Sequence, residues 1–159
     1  MIKITMASGA EIVVALDAIA APKTVANFKK LVSENFYNGL IFHRVIKGFM
    51  IQGGDPQGTG MGGSKDHVHG EFASNGHKNP ISHKRGVISM ARSQMLNSAS
   101  SQFFICHADA TFLDGQYASF GAVVSGIETV DAIANVKTNY SDKPADPQVM
   151  ASITFVTEE

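Results

Sequence analysis

Eight short segments rich in β-branched and aromatic residues, with only two helical signals among them, limit the architecture open to this sequence. They are "IKITM", "EIVVAL", "LIFHRVI", "FMIQ", "GVISMA", "QFFICH", "SFGAVVS" and "MASITFV", each with the length and residue types of a strand. The first two read as a hairpin turning at "ASGA". One helix is expected from Pro22, which fits a first turn because its missing N–H is not needed there. Val25, Phe28, Leu31 and Val32 continue one face, and Asn38-Gly39 breaks the pattern. A second helix is expected over "GIETVDAIANV", with Ile127, Val130, Ile133 and Ala134 on one face. The helices do not alternate with the strands as in βαβ units. A largely antiparallel sheet follows, and closing it into a barrel would remove its exposed edges.

A chain of 159 residues is expected to form one domain, 1–159, burying roughly two-thirds of its unfolded surface. The net charge is −1, and no basic run is longer than Lys29-Lys30 or Lys84-Arg85, which argues against a general grip on nucleic acid. No stretch approaches the ~18 apolar residues of a membrane span, and the amino terminus has no signal-like apolar core. The single cysteine, Cys106, forms no internal disulfide and suits a reducing compartment. No heptad or long apolar edge suggests assembly. The expectation is a soluble cytoplasmic monomer.

Two polar segments interrupt the strands. Pro56 to Arg85 is about thirty residues of Gly, His, Asn, Ser and Lys, a length that is usually functional or packed tightly against the body. "RSQMLNSASS", from Arg92 to Ser101, is a loop between strong strands, where binding commonly sits. Within "FHRVIKGFMIQGGDPQGTGMGG", Gly58, Gly60 and Gly63 have the G-x-G-x-x-G spacing. A dinucleotide turn also needs a helix opening inside the motif and an acid about twenty positions on. "SKDHVHGEFASNGHKNP" follows instead, so the glycines are better read as serving tight turns and close backbone approach. His43, His67, His69, His77, His83 and His107 lack a recognisable metal-ligand spacing, and no metal or cofactor is expected. Cys106 lies in an apolar strand, as a buried small hydrophobe does. Asp17, Asp55, Glu71 and Asp114 fall at turns or strand ends, no G-x-S-x-G elbow appears, and nothing suggests hydrolysis.

What stands out is one arginine, Arg44, in the apolar strand "FHRVI". Side chains two apart on a strand share a face, so Met50 and Gln52 point together, as do Gln102 and Phe104. Adjacent strands would present both pairs on one surface near Arg44. Spacing alone leaves open the alternative that Arg44 covers apolar surface or pairs with an acid, while Gln52 and Gln102 are merely solvated.

These segments, with "GVISMA", "SSQFFICHADATFLDG" and "SFGAVVSGIETVDAI", closely resemble the cyclophilin-type peptidyl-prolyl cis-trans isomerases, in order from about Ile2 to Val156. The resemblance implies a mainly β fold: a closed eight-stranded antiparallel β-barrel capped by two α-helices. It implies that Arg44 is catalytic, and that Phe49, Met50, Phe104 and Leu113 line a pocket for the substrate proline ring. Gln52 and Gln102 would hold the peptide backbone. Ala91 and Arg92 would lie along the groove for residues before the proline, with Gly60 near its rim. The implied partners are proline-containing peptides and unfolded proteins, and the implied chemistry needs no cofactor. Phe112 stands where many relatives have tryptophan, so the indole N–H is missing and weak or no cyclosporin binding is expected. Tyr117 replaces a histidine of the best-known eukaryotic members, keeping a ring over the pocket, and Arg92 replaces a common asparagine. "MAR" with Phe112 is more like bacterial members. The competing function is a proline-peptide binding module with incidental turnover; a metal- or nucleotide-dependent protein is a remote third.

Overall fold

The computed structural model describes residues 1–157. The strands are β1 (Ile2–Met6), β2 (Glu11–Leu16), β3 (Arg44–Ile46), β4 (Met50–Gly53), β5 (Val87–Met90), β6 (Phe103–Cys106), β7 (Ser119–Ser125) and β8 (Met150–Phe155), with helices α1 (Pro22–Ser33) and α2 (Ile127–Ala134). One antiparallel sheet runs in the order β3-β4-β6-β5-β7-β2-β1-β8. Register shifts at Thr5/Met6, Val13/Val14 and Ile88/Ser89 supply the bends that curl a sheet.

The expected closed barrel is corrected to an open, curled half-barrel, because no ladder joins the edge strands β3 and β8. The strand expected over Leu40 to Ile46 begins only at Arg44 and is three residues long. Its outward donor, the Val45 N–H, bonds Asp142 O at 2.8 Å and so is not available to β8. The two ends of the sheet meet only through the connection before β3. There Ile41 bridges Val149, and the Met150 N–H reaches Leu40 O at 2.8 Å.

The sheet separates two apolar clusters. Inside the curl, Phe28 of α1 packs against Tyr37, Phe103 and Phe120 with ring centroids 5.2, 5.7 and 5.2 Å away. Ile2, Ile4, Ile12, Val14 and Ile153 line the same core, and Val130 and Ile133 of α2 join it. The other face of β4 and β6 carries Met50, Phe104 and Cys106, packed with Ala110 and Leu113. Every residue of β6 is therefore buried, which explains why "FFIC" reads as a continuous apolar run and not as an alternation. No helix among the described residues is long and apolar enough to cross a membrane.

Candidate active site

Sheet register builds the site. Arg44 of β3 lies opposite Gln52 of β4, Gln52 opposite Phe104 of β6, and Phe104 opposite Ser89 of β5. One row across four strands thus runs from a cation through an amide to an aromatic ring. In the next row Ile46, Met50 and Cys106 are aligned. Above these rows Arg44, Phe49, Met50, Gln52, Ala91, Arg92, Phe104, Leu113 and Tyr117 line a pocket of about 120 Å³, the scale of a cavity that takes one small ring. Met50 and Phe104 are buried, and Tyr117 stands edge-on to Phe104 at 5.9 Å. Arg44 is exposed, and among the described residues its guanidinium has neither an ion-pair nor a hydrogen-bond partner. The alternative that Arg44 pairs with an acid is not what the fold produces.

A second, polar cavity of about 340 Å³ continues from the first, sharing Gln52, Ala91 and Arg92. Gly60, Gly62, His67, Ser93, Ser98, Ser100 and Gln102 are among its walls. Gly60 and Gln102 therefore belong to this cavity and not to the apolar pocket. Phe112 lines neither; it is 73% exposed, with its ring 5.7 Å from that of Phe49.

The two glutamines are not merely solvated. Gln52 Nε2 donates to Gln102 Oε1 at 3.0 Å, and Gln102 Nε2 donates to Gly60 O at 3.0 Å and Gly62 O at 2.7 Å. The glycine loop is held in turn by Asp55, which is 1% exposed. Its carboxylate accepts backbone N–H bonds from Gln57, Thr59, Gly60 and Gly62 at 2.8, 3.1, 2.7 and 3.1 Å. Burial alone would raise the Asp55 carboxyl, but these donors outweigh it and hold it below the usual carboxylate range. A Cβ at Gly62 would strike the Asp55 carboxylate. The glycines thus form an anion nest whose anion is the chain's own.

Beneath Phe104 lies a group that sequence reasoning missed. His83 is fully buried, its ring stacked on Phe104 at 6.0 Å. Its Nδ1 is 2.8 Å from Asp114 Oδ1 and its Nε2 2.8 Å from Ser89 Oγ. The connectivity is that of a hydrolase triad, but Ser89 is 0% exposed, so no substrate carbonyl reaches its hydroxyl. Cys106 is no nucleophile either, because burial pushes its thiol up to about 12. The four acids expected at turns or strand ends all accept backbone N–H groups: Asp17 those of Ile19 and Ala20, Glu71 those of Lys23 and Thr24, Asp55 as above, and Asp114 that of His83. Two of them carried a sequence signal: Asp55, shortly before a glycine-rich run, and Asp114, directly before Gly115. The partners of His83 come from separate strands and turns. Among the described residues no three His, Cys, Asp or Glu side chains are grouped to hold a metal.

The site thus sets an exposed cation beside a ring-sized apolar pocket on a half-barrel of eight antiparallel strands. The family model for cyclophilin type peptidyl-prolyl cis-trans isomerases matches residues 1–155. A peptidyl-prolyl cis-trans isomerase of Schizosaccharomyces pombe is 42% identical over 134 residues, covering 80% of this chain and 81% of that one. One from Helicobacter pylori is 48% identical over 115 residues, covering 71% and 68%. The crystal structure of a Cryptosporidium parvum cyclophilin, obtained in the presence of the dipeptide Ala-Pro, has a TM-score of 0.90 at 33% identity over 99% of both chains. The chain belongs to the cyclophilin-type peptidyl-prolyl cis-trans isomerases, a family of enzymes.

Proposed function

We propose that this isomerase accelerates rotation about X–Pro bonds in unfolded or flexible polypeptides, assisting their folding, with Arg44 as the catalytic group. The observation that carries this is the unpaired Arg44 guanidinium at the apolar pocket of Met50, Phe104 and Leu113. Amide resonance gives the C–N bond partial double-bond character and a rotation barrier of about 18–20 kcal/mol. In the twisted transition state the resonance is lost and the proline nitrogen regains a lone pair. An arginine N–H at that nitrogen stabilises the twisted form more than the planar one, which is the condition for catalysis. The pocket holds the ring while the preceding carbonyl swings. Lowering the barrier by roughly 7 kcal/mol corresponds to about 10⁵-fold acceleration. That the structure of the Cryptosporidium parvum relative was obtained in the presence of the dipeptide Ala-Pro is in keeping with a proline-containing substrate.

The test is NMR exchange spectroscopy on an Ala-Pro-Phe-type peptide, with wild type beside Arg44→Ala. Wild type is expected to produce cis–trans exchange cross-peaks, and the variant to lose about 10²–10³-fold in rate while still binding the peptide. If wild type binds without speeding exchange, or if Arg44→Ala exchanges as fast as wild type, the arginine mechanism falls. The first of these outcomes leaves a proline-peptide binding module.

A further inference from the structure

Arg92 stands where the two cavities meet and lines both, yet its donors do not serve the groove. Nε and Nη2 donate to Gln116 O at 3.0 and 2.7 Å, and Nη1 donates to Ser93 O at 2.9 Å and Gln94 O at 3.4 Å. Two aromatic rings engage the guanidinium as well: it lies 4.8 Å from the Tyr117 ring centroid and 5.0 Å from that of Phe72. Phe72 is 1% exposed and belongs to the core inside the curl, so one side of this stack is anchored. Among the described residues Arg92 pairs with no acid. One planar group therefore ties three segments: the long 56–85 connection through Phe72, the loop after β5 through Ser93 and Gln94, and the turn that brings Tyr117 edge-on to Phe104.

We propose that Arg92 is a positioning residue for isomerisation, which sets the Tyr117 wall of the proline pocket and the Ser93 wall of the polar cavity relative to one another. The proposal rests on the prolyl-isomerase reading above and adds a coupling to it. A substrate long enough to occupy both cavities meets walls spaced by a single side chain, whereas one that fills only the proline pocket depends on Tyr117 alone. Lysine cannot replace arginine here. It keeps the charge and an apolar stem, but not a planar fork that donates to three carbonyls while lying over two rings.

The test compares two peptides, a capped Ala-Pro-Phe peptide and the same peptide extended by three residues before the alanine. Wild type, Arg92→Lys, Arg92→Ala and Tyr117→Leu are measured by NMR exchange and by peptide titration, with urea midpoints recorded for each. The expected result is about a tenfold loss of kcat/KM for Arg92→Lys, with KM for the extended peptide rising more than KM for the short one. Tyr117→Leu should reproduce the loss on the short peptide. Wild-type rates and KM values in Arg92→Lys would overturn the proposal, as would equal KM changes for both peptides. Should Arg92→Ala fail to fold, Arg92→Lys and Tyr117→Leu still decide. If wild type itself binds without accelerating exchange, the enzyme reading falls separately, and the ratio of the two peptide Kd values in Arg92→Lys against wild type decides on the positioning role.

Discussion

Gln102 shows how one side chain acquires its orientation from a loop far away in sequence. Its amide nitrogen is claimed by the carbonyls of Gly60 and Gly62, so its oxygen turns to Gln52 Nε2. Gln52 is thereby held in the row between Arg44 and Phe104. Gln102→Glu would set a carboxylate against two carbonyl oxygens and remove both donors. It is expected to destabilise the protein by about 1–3 kcal/mol and to lower kcat/KM in the exchange assay. An unchanged urea midpoint and unchanged exchange would mean that the loop does not orient this pair. The shared face of Gln102 and Phe104 was legible from a period of two. The carbonyl partners were not, because they lie about forty positions away and face Gln102 only once Asp55 has gathered the loop. The glycine spacing resembles a phosphate cradle, a reading set aside because no helix opens inside the motif and no acid follows at the required offset. Backbone N–H groups do converge there, but on the carboxylate at Asp55.

At the scale of elements, α1 shows why the long connection between β4 and β5 is ordered. Pro22 at the first turn was readable in the sequence, but Ala21 at the N-cap offers no side-chain bond to the free N–H groups of that turn. Glu71 supplies the cap from the connection. Its carboxylate accepts Thr24 N–H at 2.7 Å, Thr24 Oγ1–H at 2.7 Å and Lys23 N–H at 3.2 Å. Anionic oxygens at a helix N-terminus also meet the positive end of its dipole. Of the two readings open to the Pro56–Arg85 segment, tight packing fits these contacts, since Glu71, Phe72 and His83 are all buried. Glu71→Ala leaves a buried hydroxyl and two N–H groups without partners and is expected to cost about 1–3 kcal/mol in urea unfolding. Glu71→Gln keeps one acceptor and should cost less. Equal losses in the two variants would show that packing at this site matters and the cap does not. Strand positions were legible because pattern is local, whereas closure was not. Whether β3 and β8 pair depends on where Val45 sends its N–H, and Asp142 is brought there by the turn that follows α2.

For the molecule as a whole, two faces of one curled sheet share one stability, and buried histidines tie that stability to pH. His43 is 6% exposed and His83 fully buried. Burial holds both below the ordinary value of 6.5; in His43 Lys143 and Arg44 push the same way and Asp55 opposes, and in His83 Asp114 opposes without prevailing. A histidine whose folded pKa is depressed is protonated first in the unfolded chain. Its contribution is therefore intact above about pH 6.5 and is lost as pH falls toward the folded value, with a slope of at most about 1.4 kcal/mol per pH unit for each group. The aspartates act in the same sense at lower pH. Asp55, Asp114 and Asp131 lie below the ordinary 3.8, Asp131 chiefly through its bond from Arg85, and Asp55 and Asp114 because their hydrogen bonds outweigh burial. Acid unfolding is thus expected in two stages, one beginning near pH 6.5 and one below about pH 4. His43 separates the stages cleanly because its Nδ1 is buried without a partner among the described residues, so an apolar replacement leaves no donor or acceptor stranded. His43→Leu should keep the wild-type urea midpoint at pH 8 and show a shallower fall between pH 6.5 and 5. A wild-type midpoint that stays level over that interval, or a slope unchanged in His43→Leu, would mean that the buried imidazole finds a way to keep its proton in the folded protein.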